Sequence, residues 1–437
     1  MLGFGAMPPE LLPPTKDEIA RLDALEQDTA GAALQRPTRA PFDWAEPYFT
    51  IGVTGTNGKS STTHLIAAVL RAAGRPTLTE STLGYYLDEQ ELKVPRTARG
   101  YLAALRHAAQ QGSRNAAIEV TSLALSRGFA RSWRFDLAVF TNLTRDHVEQ
   151  HGSWEHYLAS KAQLFLHLGP GRTAVLNACD AAAQLIERVT PPDVTRRFYA
   201  ARSRGEQLVP AELVAKQVEL SADGTRVELE PSATADALGG ALTTRLVGAV
   251  FAENALAAAL AGLAAGVAAP HVAQGLAACP VVPGRFEILG REPLVAVDYA
   301  HTPDALERTC ATARALARGK VSVVFGAGGG RDVEKREIMG RAVGERADYA
   351  FITTDNPRNE DPAAIAAAVA AGCRRGGRAY ARLVPDRRAA IRQAIEAAKP
   401  GDVVVIAGRG HEKVQLIGAA EHPFSDVEEA KRVLAGR

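Results

Sequence analysis

GVTGTNGKSSTT, residues 52–63, follows the β-type run Tyr48-Phe49-Thr50-Ile51 and leads into HLIAAVLRAAG, whose apolar residues fall at helical spacing. A strand that feeds a glycine turn and then a helix is a device for holding an anion. Glycines let backbone N–H groups turn inward, and the helix N-terminus adds partial positive charge. Gly55, Thr56, Asn57 and Gly58 form the turn, Lys59 is placed to reach phosphates, and Ser60 or Ser61 to hold Mg²⁺. The strict spacing G-x-x-x-x-G-K-[ST] fails at one position, because Val53 stands where its first glycine belongs. The anion expected here is ATP.

The rest of the chain bounds what can be done with it. At 437 residues, two or three domains are expected. Hydrophobic residues at 46% and charged residues at 23% describe an ordinary globular protein. Lys+Arg at 51 against Asp+Glu at 49 leaves no basic block, which argues against nucleic acid as a partner. Cys179, Cys279, Cys310 and Cys373 form no C-x-x-C pair and read as free thiols in a reducing compartment. The N-terminus has neither a basic n-region nor a long apolar h-region, and the run Ala255–Ala269 is too short and alanine-rich for a membrane span. A cytoplasmic protein without membrane insertion is expected.

Residues 1–47 are proline-rich, contain one helix-like stretch (Lys16–Glu26), and read as a short appendage. From 48 to 280, β-runs at Phe49–Thr54, Ala116–Val120, Leu137–Phe140 and Thr173–Asn177 alternate with helical stretches, and Asp223-Gly224 marks a hairpin. Val281-Val282-Pro283-Gly284-Arg285 reads as a linker. Residues 281–437 repeat the alternation at Pro293–Asp298, Val321–Gly326, Tyr349–Thr353 and Val403–Ala407. The fold class is therefore α/β: a phosphate-loop domain on a mainly parallel sheet, then a second Rossmann-like α/β domain. A two-substrate site is expected in the cleft between them.

Further motifs follow in a fixed order: IEVTSLAL (118–125), FTNLTRDHVEQHGSWEHYLASKAQLF (140–165), NALAAAL (254–260), VPGRFE (282–287), DYAHTPDAL (298–306), FGAGGGRDVEKR (325–336), TTDNPRNEDP (353–362) and GRGHE (408–412). From about residue 48 onward the sequence resembles the Mur ligases of peptidoglycan assembly, and most closely the type that adds the third amino acid. That resemblance implies transfer of the ATP γ-phosphate to a substrate carboxylate, followed by attack of an amine on the acyl phosphate. Catalytic roles then fall on Lys59, Glu119, His147 and Lys161. Ser60, Glu119 and His147 match ligands of two Mg²⁺ ions, and Lys161 matches a lysine that CO₂ carbamylates, turning a cation into an anion that can support the metal. Asn254, Arg285, Asp298 and His301 match ATP contacts. Arg331, Asn356, Arg358, Gly408 and Glu412 match contacts to the incoming amino acid. Arg358 in Asp-Asn-Pro-Arg points to meso-diaminopimelate, because a guanidinium fork binds a distal carboxylate. A loop arginine paired with Glu360 or Asp361 is the alternative.

The sequence departs from the family on the acceptor side. About fifty residues precede the phosphate loop where relatives carry about a hundred that hold UDP. The family's Glu-x-Ser-Ser-His is replaced by Glu119-Val120-Thr121-Ser122-Leu123, and its threonine-rich stretch by Val94-Pro95-Arg96-Thr97. The first expectation is therefore a carboxylate other than the UDP-muramoyl dipeptide: a free peptide, an amino-acid polymer end or another small acid. The dipeptide itself is the alternative. A non-catalytic or partner-dependent nucleotide-binding protein is the competing class, against which Lys59, Glu119, His147 and Lys161 stand. Oligomeric state is left open.

Overall fold

The computed structural model describes residues 43–45, 47–146, 148–202 and 205–436. The expected appendage helix Lys16–Glu26, and His147, lie outside the described residues. Eleven strands form one sheet: β1 (Phe49–Thr54), β2 (Thr77–Ser81), β3 (Gly84–Leu87), β4 (Gln90–Leu92), β5 (Asn115–Glu119), β6 (Leu137–Phe140), β7 (Thr173–Asn177), β8 (Thr195–Ala200), β9 (Leu213–Ser221), β10 (Gly224–Leu229) and β11 (Ala241–Thr244). Their order is β11-β10-β9-β8-β7-β6-β1-β5-β2-β3-β4. Pairing is parallel from β2 through β9, and antiparallel in the β2-β3-β4 and β9-β10-β11 extensions. The hairpin turn is Ala222-Asp223, one residue earlier than expected, because Gly224 already pairs with Ser221.

A second sheet holds β12 (Glu287–Arg291), β13 (Leu294–Asp298), β14 (Val321–Phe325), β15 (Tyr349–Ile352), β16 (Tyr380–Leu383) and β17 (Val403–Ala407), in the order β12-β13-β17-β14-β15-β16. Only β12 runs antiparallel to its neighbour. A small hairpin, β18 (Val414–Ile417) and β19 (Ala420–Pro423), follows. Sequence periodicity missed β2, β3, β4, β8, β11, β12, β16 and this hairpin, which are short and partly polar and draw their stability from neighbours.

β1 sits between β5 and β6 and is buried on both faces from Thr50 to Thr54, its two threonines included. The Val53 anomaly has a structural reason: that position is still strand, paired with Glu119 and Val139, and the turn begins only at Gly55. The helix Lys59–Ala72 packs on the alanine-rich helices Ala249–Ala264 and Ala269–Ala278. A Cβ on Gly275 would stand 2.5 Å from the Val69 Cα, so the small residues are there to let backbones approach. One apolar core runs without a break from Ile51 and Leu65 through Leu256 and Val282 to Val323 and Val405, joining the two sheets. The 281–285 segment is thus a packed hinge, with Val282 buried in that core.

Candidate active site

A cleft of about 430 Å³ lies between the two sheets. Apart from Gly55 and His147, every site residue named from the sequence lines it: Thr56, Asn57, Gly58, Lys59, Ser60, Ser61, Glu119, Lys161, Asn254, Arg285, Asp298, His301, Arg331, Asn356, Arg358, Gly408 and Glu412. These positions span about 350 residues of chain, and the fold brings them to one wall or the other of a single cavity.

The phosphate turn is fixed from below. Gly55 and Gly58 take positive φ (153° and 86°), and a Cβ on Gly58 would stand 2.6 Å from Asn254 Oδ1. The Thr56 amide donates to the Asn142 carbonyl at 2.8 Å, and the Asn57 amide to Asn142 Oδ1 at 3.0 Å. Glu119, at the end of β5, accepts from the Ser60 hydroxyl (2.7 Å) and the Thr82 amide (3.0 Å). Burial pushes its carboxyl up, but Lys59, the Thr82 amide, Ser60 and Arg285 outweigh that and hold it below the ordinary range. Burial lowers Lys59, with Glu119 and Asp146 opposing. Lys59 Nζ donates to the Thr56 carbonyl at 2.9 Å, so a cation and a carboxylate that influence one another electrostatically stand at the turn.

Lys161 is not a surface lysine. It is buried, donates from Nζ to the Gly55 carbonyl at 2.7 Å, and lies over the Tyr157 ring at 4.4 Å. Burial, and then the neighbouring Lys59, hold it well below the usual lysine range. The amine is thereby biased toward its neutral, nucleophilic form.

The hinge contributes across the cleft. Arg285 stacks on Tyr299 at 4.5 Å and donates to Ser60 Oγ at 3.0 Å. Asp298 accepts from the Phe286 and Ala300 amides, each at 2.7 Å, so it holds the hinge backbone as well as lining the cavity. His301 donates from Nδ1 to the Tyr299 carbonyl at 2.7 Å, and its Nε2 stands 4.0 Å from Asp146. Further polar bonds tie the walls: Asn57 to Asp304 (2.8 Å), Arg308 to Glu253 (2.6 Å), and Arg145 to Asp332 (2.9 Å) and Glu334 (2.6 Å).

On the C-terminal wall, Arg358 adopts φ 51° and donates to the Gly329 carbonyl at 2.7 Å. Glu360 pairs instead with Arg336 at 2.8 Å, so the alternative of an Arg358–Glu360 pair does not occur. Asn356 donates to Glu412 at 3.0 Å, and Gly408, at φ 113°, passes so close to Asp355 that a Cβ would stand 2.5 Å from its carboxylate. Sequence reading missed the residue that organises this wall. Arg409, fully buried, donates to Asn356 Oδ1 at 2.7 Å and to the Val414 carbonyl at 2.5 Å, with Glu412 3.6 Å away. It also missed Asp146 and Lys335, which line the cleft 3.6 Å apart. Their position in motifs already singled out was the available signal.

These residues suit ATP and Mg²⁺. Asn254 Nδ2 is buried at the cleft and has no hydrogen-bond partner among the described residues, as a group awaiting a ligand acceptor would be. Ser60 and Glu119 are hard oxygen donors beside a phosphate turn, the set that Mg²⁺ prefers. Among the described residues no ready-made cluster of three metal-ligating side chains occurs. Mg²⁺ bound largely through phosphates and water requires none.

The sequence models of the Mur ligase middle domain and of the Mur ligase glutamate ligase domain match residues 53–262 and 284–410. The chain belongs to the Mur ligase family. This Mur ligase is 38% identical over 417 residues to the UDP-N-acetylmuramoyl-L-alanyl-D-glutamate–2,6-diaminopimelate ligase of Synechococcus elongatus, covering 94% of this chain and 80% of that one. The same-named ligase of Aquifex aeolicus is 37% identical over 391 residues, covering 88% and 77%. Among solved structures, a ligase of that name superposes with TM-score 0.62 at 32% identity, over 90% of this chain and 79% of its own. Mycobacterium tuberculosis folylpolyglutamate synthase shares the fold at TM-score 0.67 and 20% identity, over 96% and 95%. The protein is an ATP-dependent, ADP-forming amide ligase of a family that uses ATP with Mg²⁺. The expectation of an unusual carboxylate finds no support among these relatives, whose names match the alternative. Among the described residues no helix is long and apolar enough to cross a membrane.

Proposed function

We propose that this Mur ligase joins meso-diaminopimelate to UDP-N-acetylmuramoyl-L-Ala-D-Glu. The observation that carries the reading is the C-terminal wall, where the Arg358 guanidinium and the Glu412 carboxylate line one pocket braced by Asn356. A guanidinium suits the distal carboxylate of the amino acid and Glu412 its distal ammonium. Residues 48–280 and 281–437 act as two domains that close over the substrates.

Bound ATP and Mg²⁺ supply the phosphoryl group and the positive charge that activate the acceptor carboxylate. The chain's own residues position and screen. Lys59 places its ammonium where phosphate charge accumulates, and the Gly55–Gly58 turn aims N–H groups there. Ser60 and Glu119 would hold Mg²⁺, and His147 and a carbamate on Lys161 would support a second ion. Asn254 contacts adenine. Arg285, Asp298 and His301 bring the closing wall to the nucleotide, excluding water from the activated acid. Arg331 and Gly408 complete the amino-acid pocket.

An ADP-release assay with mass analysis of products tests the reading. ADP release should require the UDP-linked dipeptide, diaminopimelate and ATP together, and Lys59→Ala should lower the rate about 10²- to 10⁴-fold. Near-normal turnover of Lys59→Ala would remove it from the site. A second reading, a different carboxylate, rests on Leu123, which lies 39% exposed at the cleft where the family carries histidine. Turnover with free peptides but not with the UDP-linked dipeptide would establish that reading instead.

A further inference from the structure

The hairpin β18–β19 joins neither large sheet, and none of its residues belongs to the apolar cores. β19 is exposed along its whole length, and on β18 Gln415 alone is buried. A two-stranded ribbon of this size is marginal in water by itself. Its inward bonds go to one loop. Gln415 Nε2 donates to the Asp355 carbonyl at 2.6 Å and to the Thr354 carbonyl at 3.3 Å. The Leu416 amide donates to Asn356 Oδ1 at 2.8 Å, and the Leu416 carbonyl accepts from the Arg358 amide at 3.2 Å. The Gly418 amide donates to the Arg358 carbonyl at 2.7 Å, and Arg358 pairs with Ile417 in a parallel bridge. Both main-chain groups of Arg358 therefore end on the hairpin.

Arg358 needs such a frame. Its φ of 51° lies in the left-handed region, which strains a residue with a side chain and persists only where the surrounding structure holds it. In that conformation Arg358 lines the cleft and its guanidinium takes the Gly329 carbonyl at 2.7 Å. Relaxation of the backbone to negative φ would re-aim the side chain, and a guanidinium fork recognises a carboxylate only when it is correctly placed. The hairpin is itself pinned to the same wall, because Arg409 donates both to the Val414 carbonyl and to Asn356 Oδ1.

We propose that the β18–β19 hairpin is the template that holds Arg358 in the amino-acid pocket, with Gln415 as its positioning residue. The hairpin then shares with the loop the choice of amino acid. The proposal rests on the placement of Arg358 in that pocket. Wild type, Gln415→Met, Arg358→Lys and the double variant would be compared in steady-state ADP release beside melting curves. Gln415→Met keeps the length of the side chain and removes its amide. KM for meso-diaminopimelate should rise about 10-fold in Gln415→Met, with KM for ATP and for the UDP-linked dipeptide unchanged. The double variant should match Arg358→Lys, because a residue that acts through Arg358 has nothing left to position once the fork is gone. Hydrogen exchange at the Arg358 and Gly418 amides should be slow in wild type before any substrate is added, slow at the corresponding amides of Arg358→Lys, and fast in Gln415→Met. Should Gln415→Met not fold, exchange in the other two proteins decides: protected amides sustain the template, and freely exchanging ones overturn it. Additive effects on KM in the double variant, or a wild-type KM in Gln415→Met, would overturn the hairpin's role and leave the ligase reading intact. An unaltered KM in Arg358→Lys would remove Arg358 from the pocket and the hairpin's role with it. Turnover by wild type of another diamino acid in place of meso-diaminopimelate would overturn that substrate alone, and the four proteins would then be compared on the amino acid used.

Discussion

Arg409→Met removes the brace behind the amino-acid pocket while keeping a long side chain in its place. Two hydrogen bonds disappear, to Asn356 Oδ1 (2.7 Å) and the Val414 carbonyl (2.5 Å), and the positive charge 3.6 Å from Glu412 goes with them. Asn356 Oδ1 keeps the Leu416 amide at 2.8 Å, so the loop should persist, but the amide that donates to Glu412 at 3.0 Å loses its counter-anchor. A hydrogen bond to a charged group is worth about 1.5–3 kcal/mol. If one such bond is transmitted to the pocket, kcat/KM for the amino acid should fall roughly 10- to 100-fold. KM for ATP should be unchanged, because the phosphate turn lies on the opposite wall. The pH dependence should move as well. Burial and Asp355 hold Glu412 above the ordinary range, with Asn356 and Arg409 opposing. Losing Arg409 raises it further, so as pH falls the loss of amino-acid affinity should begin at a higher pH than in wild type. Steady-state ADP release with varied diaminopimelate, read beside a melting curve, is the assay. A lowered Tm with kcat/KM for the amino acid within twofold of wild type would show that Arg409 braces the fold and not the pocket.

Lys161→Ala should be nearly inactive and partly rescued by small carboxylates that refill the space beside Gly55; full activity in CO₂-depleted buffer would refute the carbamate. Arg358→Lys keeps the charge but loses the fork, and should raise KM for the amino acid about 10-fold or more; an unchanged KM would remove Arg358 from the pocket. Arg145→Ala cuts two exposed bonds that tie the walls together, so KM for ATP should rise only about 2- to 5-fold at low salt and return to the wild-type value in high salt; a larger, salt-independent rise would mean a direct role. Burial and Glu119 push Glu80 up to about 8, with Arg96 opposing. Its raised folded value makes stability fall as pH climbs from the unfolded carboxyl range toward 8, so Glu80→Gln should raise Tm at pH 7.5 and lose that advantage near pH 4.5; equal Tm curves would sink the assignment.

The site was legible where function depends on neighbours in the chain. The glycines of 55–58 and the Lys59-Ser60 pair act through local backbone geometry, so their spacing carried their meaning, and the central buried strands announced themselves as unbroken apolar runs. Even the Val53 departure was readable as a residue type, although its cause, a strand one register longer than the motif assumes, belongs to the pairing with β5 and β6. Arg358 was named from its motif, yet its choice of the Gly329 carbonyl over Glu360 depends on Arg336 claiming that carboxylate from the helix Lys335–Arg346.

What the sequence alone determined about this protein is the α/β class, the phosphate turn and the family chemistry, because these follow from periodicity and from motifs whose parts sit side by side. The tertiary structure decided the rest. Burial of Lys161 beneath Gly55, the Arg409 brace and the Arg145 clasp all join residues by packing across long stretches of chain. Desolvation, charge proximity and hydrogen-bond choice are properties of where side chains meet, and one-dimensional spacing does not carry them.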